Sequence, residues 1–124
     1  MVTAAKLIAT SILLLSFETA KAEPVEIVLR PSDLIIRGNQ YISASEIESA
    51  KVVFNKALRS NLTTEQRANA YNGLCVAHIK QENWLEAMAL CNASIEHAPH
   101  NWRYYNNRGN VHLGLGQYKK AMVD

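Results

Sequence analysis

The chain holds only two cysteines, no C-x-x-C pair, no block of like charges and no apolar stretch long enough to cross a bilayer. Each absence excludes something. Without C-x-x-C, dithiol redox catalysis has no foothold, and two cysteines without a matched histidine pair make a poor zinc site. Thirteen Lys and Arg residues stand against 11 Asp and Glu, a formal net charge of +2. No basic stripe supports nucleic-acid binding, and no acidic block suggests a calcium site. G-x-S-x-G, H-E-x-x-H and the phosphate loop are also missing. No catalytic residue, cofactor or metal site is therefore assigned, and the chain reads as a non-enzyme. Its 124 residues suffice for one domain. The hydrophobic fraction of 48% and charged fraction of 19% are ordinary for a globular protein and argue against disorder throughout.

What is present begins with a leader. Lys6 gives a weakly positive start, Leu7–Phe17 is apolar but for Thr10, Ser11 and Ser16, and Ala20-Lys21-Ala22 offers small residues for cleavage. Residues 1–22 are read as a secretory signal peptide. The competing reading, a membrane anchor, needs roughly 20 apolar residues, and this run has about 11. Loss of Lys6, Lys21 and Glu18 with the leader leaves 11 basic and 10 acidic residues. The expected mature protein is soluble, exported and without a membrane span.

Helix signals follow. Ser43-x-x-Glu46, Thr63-x-x-Gln66 and Asn83-x-x-Glu86 read as capping boxes, and Asn101 as an N-cap after Pro99. Gly116 reads as a left-handed stop. Helices are expected near 44–60, 64–81, 84–97, 102–115 and 117–124. Residues 23–42 read as an extended arm or linker, because Val25, Ile27 and Leu29 alternate with Glu26 and Val28 between Pro24 and Pro31. Leu34-Ile35-Ile36 is taken as part of the same arm. It either covers the flank of the first helix or is mobile.

The second half repeats itself. Tyr71 and Tyr105, Asn72 and Asn106, His78 and His112, Trp84 and Tyr118, and Ala87 and Ala121 are each 34 residues apart. That interval suits a helix–turn–helix repeat. Tyr71-x2-Leu74-Cys75-x2-His78 leads to Ala87-x3-Cys91 and Pro99. Tyr105-x2-Arg108-Gly109-x2-His112 leads to Ala121, and Ala50-x3-Phe54-x2-Ala57 stands upstream. The chain thus resembles the tetratricopeptide-repeat (TPR) family over residues 43–124, with a full repeat at 68–101 and partial repeats on either side. It departs from that pattern in having Cys75 for the small glycine and Cys91 for the aromatic.

The resemblance implies an all-α, TPR-like solenoid of antiparallel hairpins, about two repeats long, with the extended arm before it. It implies that Cys75 and Cys91 face one seam, where either a disulfide or two buried thiols could sit. The disulfide is the expectation, in keeping with an oxidising compartment. It implies that His78 and His112 are packing residues with one polar edge. It also implies a groove for a peptide or protein partner, lined by Asn69, Asn72, Val76, Ile79 and Lys80 and by Arg103, Asn106, Asn110 and Leu113. Asn72 and Asn106 would form an amide ladder, and Lys80 and Arg103 would hold an acidic group. The alternative is a solvated polar face. Short exported TPR proteins of proteobacteria are similar in layout, which implies a periplasmic interaction module, or else an accessory subunit or assembly chaperone of an envelope complex. The apolar residues near Tyr118 suggest a flank for a partner or a second copy, unless the chain is a fragment of a longer product.

Overall fold

The computed structural model describes Ala22 and residues 27–124. The remaining leader residues and 23–26 lie outside that range, and with them most of the signal peptide and the start of the arm. Among the described residues the fold is all-helical, with no strand. Helices α1 (Pro31–Ser43) and α2 (Ile47–Leu58) form a first hairpin. Helices α3 (Thr64–Lys80) and α4 (Trp84–His97) form a second, and α5 (Trp102–Gly114) with the short α6 (Tyr118–Ala121) a third. Helix α3 packs on α1, α2, α4 and α5, so the first helices of successive hairpins are neighbours.

The arm expected over residues 23–42 is corrected by α1. Pro31 stands at the first helical position, where a missing N–H costs nothing. The Asp33 carboxylate accepts from the Arg30 backbone N–H at 3.1 Å and pairs with its guanidinium. Leu34, Ile35 and Gly38 are then buried, with Tyr41 and Ile42 packed on the same core, which is helical spacing. Ile36 faces solvent, so one residue of the three-residue apolar run that resembled a strand is surface. The expected capping box at Ser43 is also overturned. Ser43 ends α1, its hydroxyl donates to the Asn39 carbonyl, and α2 starts at Ile47 instead of 44. The box at Thr63 forms as expected, with Gln66 N donating to Thr63 Oγ1 at 3.2 Å and Thr63 N donating to Gln66 Oε1 at 3.0 Å.

Each hairpin turns in the same way. Ser45, Glu82 and Gly116 take φ values of 60°, 55° and 72°. The next residue's N–H then reaches back to the helix: Glu46 to the Tyr41 carbonyl at 2.8 Å, Asn83 to His78 at 2.9 Å and Gln117 to His112 at 2.8 Å. This is the Schellman stop, in which a left-handed residue lets the chain satisfy carbonyls left over at a helix end. The same residue opens the following helix, accepting from Ala50, Ala87 and Ala121 at 3.0, 3.0 and 3.1 Å. The turns align Gly38, Cys75 and Gly109 in one register, and Phe54 with Cys91 in another.

That register explains the core. In the first hairpin the Phe54 ring is fully buried between Gly38 and Gly73. A methyl group at Gly38 would come within 2.6 Å of the ring, and one at Gly73 would overlap it outright. Leu34, Ile35, Ala50, Ala57, Ala70 and Leu74 complete this cluster. At the corresponding place in the second hairpin, Cys75 and Cys91 form a disulfide with Cα atoms 5.3 Å apart. Ala87 and Val111 surround it.

Candidate functional site

The nine residues expected to line a groove all lie on α3 and α5, the first helices of the second and third hairpins. Lys80, Arg103, Asn106 and Asn110 are exposed, and Leu113 is 51% exposed. Val76 and Ile79 are half-buried, with Ile79 packed on the disulfide cluster. Asn69 and Asn72 are held within the molecule. The Tyr104 hydroxyl donates to Asn69 Oδ1 at 2.7 Å, and Asn107 Nδ2 donates to Asn72 Oδ1 at 2.7 Å. Burial raises the pKa of the Tyr104 hydroxyl, which keeps it a donor. The two bonds bind α3 to α5. Asn72 therefore pairs with Asn107 and not in a ladder with Asn106, whose amide stays free for solvent. What remains on the surface is a strip of two amides, two cations and one leucine.

The sequence did not single out Tyr104 or Asn107. Both pairings span 35 residues, one more than the repeat, because each joins neighbouring hairpins and not equivalent positions. A search of polar residues for a second interval beside 34 would find them.

His78 and His112 occupy the same place before the turn. His78 Nδ1 lies 3.3 Å from Asn83 Nδ2. Burial pushes its pKa down, the Lys51 ammonium adds to that, and Glu86 and Glu48 oppose it. His112 lies between Gln117 Oε1 at 2.8 Å and Asp124 Oδ2 at 3.3 Å. Asp124 is gripped from the other side by Arg108, whose Nε donates at 2.7 Å. That bond holds the Asp124 carboxyl below the usual carboxylate range, and burial works against it. Arg108 also donates to Asn92 Oδ1 at 3.1 Å, tying α4 to this network. Tyr71 stacks on His97 with ring centroids 5.5 Å apart. Its counterpart Tyr105 donates to the Pro99 carbonyl at 2.8 Å and lies beneath the Arg108 guanidinium.

A cleft of about 590 Å³ runs beside Glu65, His97, His100 and Trp102. Its histidines are not joined by further ligands: among the described residues no group of three or more His, Cys, Asp or Glu side chains gathers around one point. No described helix is long and apolar enough to cross a membrane. Family models and curated proteins were both compared with the chain, and none matches.

Proposed function

We propose that this chain is an exported, TPR-like interaction module that holds a peptide or protein partner on the α3–α5 face. The observation that carries this reading is the threefold recurrence of one hairpin turn, with first helices side by side and the exposed strip Lys80, Arg103, Asn106, Asn110 and Leu113 along them. In a stacked array each hairpin buries its apolar side on its neighbours, and the face left over is polar and continuous. Asparagine amides can donate and accept against an extended backbone, and the two cations suit an acidic partner. The Cys75–Cys91 disulfide supports an oxidising compartment, with the periplasm as the proposed location.

A photo-crosslinking residue placed at Asn106 or Asn110 tests the face in the native envelope, with Val52 on α2 as control. The same discrete adduct is expected from both α5 positions and not from Val52, and R103E should weaken it. Adducts of equal intensity from Val52 would remove the α3–α5 face from consideration.

A second reading, an accessory subunit or assembly chaperone of an envelope complex, is favoured by α6 and the residues after it. Tyr118 is 67% exposed, Met122 88% and Val123 86%. Apolar side chains so exposed mark association surfaces when they cluster. Co-purification at fixed stoichiometry would support this reading. Light scattering at high micromolar concentration tests the self-associating form, and a strict monomer would exclude it.

A further inference from the structure

The second hairpin lacks what closes the first. Its fully buried side chains are Ala68, Ala70, Ala77, Ala87, Ser94 and the two cysteines, all small. Ile79, Trp84, Met88 and Leu115 pack around them but are only partly buried. A ring at position 91 would need two open seats, as Phe54 has at Gly38 and Gly73. Cys75 stands in register with Gly38, and Asn107 with Gly73. Asn107 carries a side chain committed to Asn72. The hairpin therefore cannot be closed by an aromatic without giving up the amide bond that joins α3 to α5. The disulfide closes it without occupying that seat.

From this we infer that oxidation of Cys75 and Cys91 completes one half of the molecule: the reduced chain keeps α1, α2 and α3 packed around Phe54, and α4 and α5 are loosened. Cluster membership sets the division. Leu34, Ile35, Phe54, Ala70 and Leu74 need no sulfur, and α4 reaches that cluster only through the partly buried Leu90, whereas Val111 of α5 is buried against the cysteines themselves. Bond formation takes two electrons and two protons from the thiols and passes them to a disulfide donor, which leaves as a dithiol. A dithiol reductant reverses the exchange. Both cysteines are 0% exposed, so the bond is out of a reductant's reach until the hairpin opens. The device acts once, as the chain matures in an oxidising compartment. If the α3–α5 face is the binding face, as proposed above, it takes shape only after oxidation.

Hydrogen exchange on the full chain tests the inference without any partner. The protein is compared oxidised and after reduction by dithiothreitol in denaturant, followed by refolding in reductant. Amides of α4 and α5 are expected to exchange about a hundredfold faster in the reduced chain, the factor that closure of a loop this size implies. Those of α1 and α2 should change by less than about threefold. C75A/C91A, studied without reductant, should reproduce the pattern. Equal acceleration in all four helices would mean the bond supports the whole array and would overturn the regional assignment. No acceleration anywhere would mean packing alone holds the second hairpin. Neither outcome touches the partner face, which the crosslinking decides separately.

Discussion

Phe54 and Cys91 hold the same place in consecutive hairpins, 37 residues apart, and they do the same task by different physics. In the first hairpin a large ring is drawn between two glycines, so closure comes from burial of apolar area and close packing. In the second, the fully buried side chains are small and a covalent bond restricts the unfolded chain instead. Residue volume at three positions decides between them. Where Gly38 and Gly73 leave room, a ring fits. Where Asn107 is needed for an inter-helix hydrogen bond, the ring is excluded and sulfur takes its place. The repeat conserves the geometry of closure, not its chemistry.

The largest effect expected from breaking this comparison is at Phe54. F54A empties the seat between the glycines and should cost about 3–5 kcal/mol in chemical denaturation of the oxidised protein. Reduction of Cys75–Cys91 should cost about 3 kcal/mol in the same assay. A loss at F54A well below that of reduction would mean the first hairpin does not depend on its ring. Next come the seats themselves. G38A and G73A each push a methyl group into Phe54 and should destabilise by about 1–3 kcal/mol, whereas G109A, with its nearest neighbour at 3.5 Å, should be tolerated. Smaller again is the joint between hairpins. N107A or Y104F removes one bond from Asn72 or Asn69 and should cost about 1 kcal/mol, with faster exchange of α5 amides as the local sign.

The smallest effects are in pH. His78 has a depressed pKa in the folded state, so its neutral form is favoured there. Its contribution is present above the ordinary histidine pKa and is lost as pH falls through that value toward the folded one. Melting curves from pH 8 to 5 should show the second hairpin weakening, and H78Q should flatten that slope. Asp124 is also depressed, so its grip on Arg108 is retained at neutral pH and lost under acid, below the range in which the histidine acts.

Much of the second half was legible. Helix α4 spans the expected 84–97, but the box expected at Asn83 does not form, its side-chain amide lying against His78 instead, and α3 and α5 each stop one residue before the expected end. The disulfide was expected from the resemblance alone, which set Cys75 and Cys91 on one seam of a hairpin. Helix α1 was not legible, for two reasons. Pro31 marks a break in either reading and happens here to open a helix. The first hairpin is also 37 and not 34 residues from the second, because α2, its link and α3 run 12, 5 and 17 residues against 14, 4 and 13 for α4, its link and α5. A search at one fixed interval passes over Gly38 and Tyr41 of α1, whereas Ala50, Phe54 and Ala57 of α2 stood out by their own spacing. The α3–α5 bonds were hidden for a different reason: side chains that pair between hairpins leave no local periodicity. Which of the nine strip residues would be consumed internally thus depended on tertiary packing.

Gly116 reaches its left-handed conformation without a side chain, but Ser45 and Glu82 reach theirs with one. For an ordinary residue that conformation costs about 1–2 kcal/mol, and a glycine would remove the cost while adding some freedom to the unfolded chain. S45G and E82G therefore offer a modest route to a sturdier protein. Both positions are exposed; Glu82 follows Lys80 of the α3–α5 strip by two residues, so S45G, in the first hairpin, is the change that leaves that strip alone. A stabilised variant made this way would leave the proposed recognition surface as it is, and could serve as the background in which damaging changes to that surface are examined.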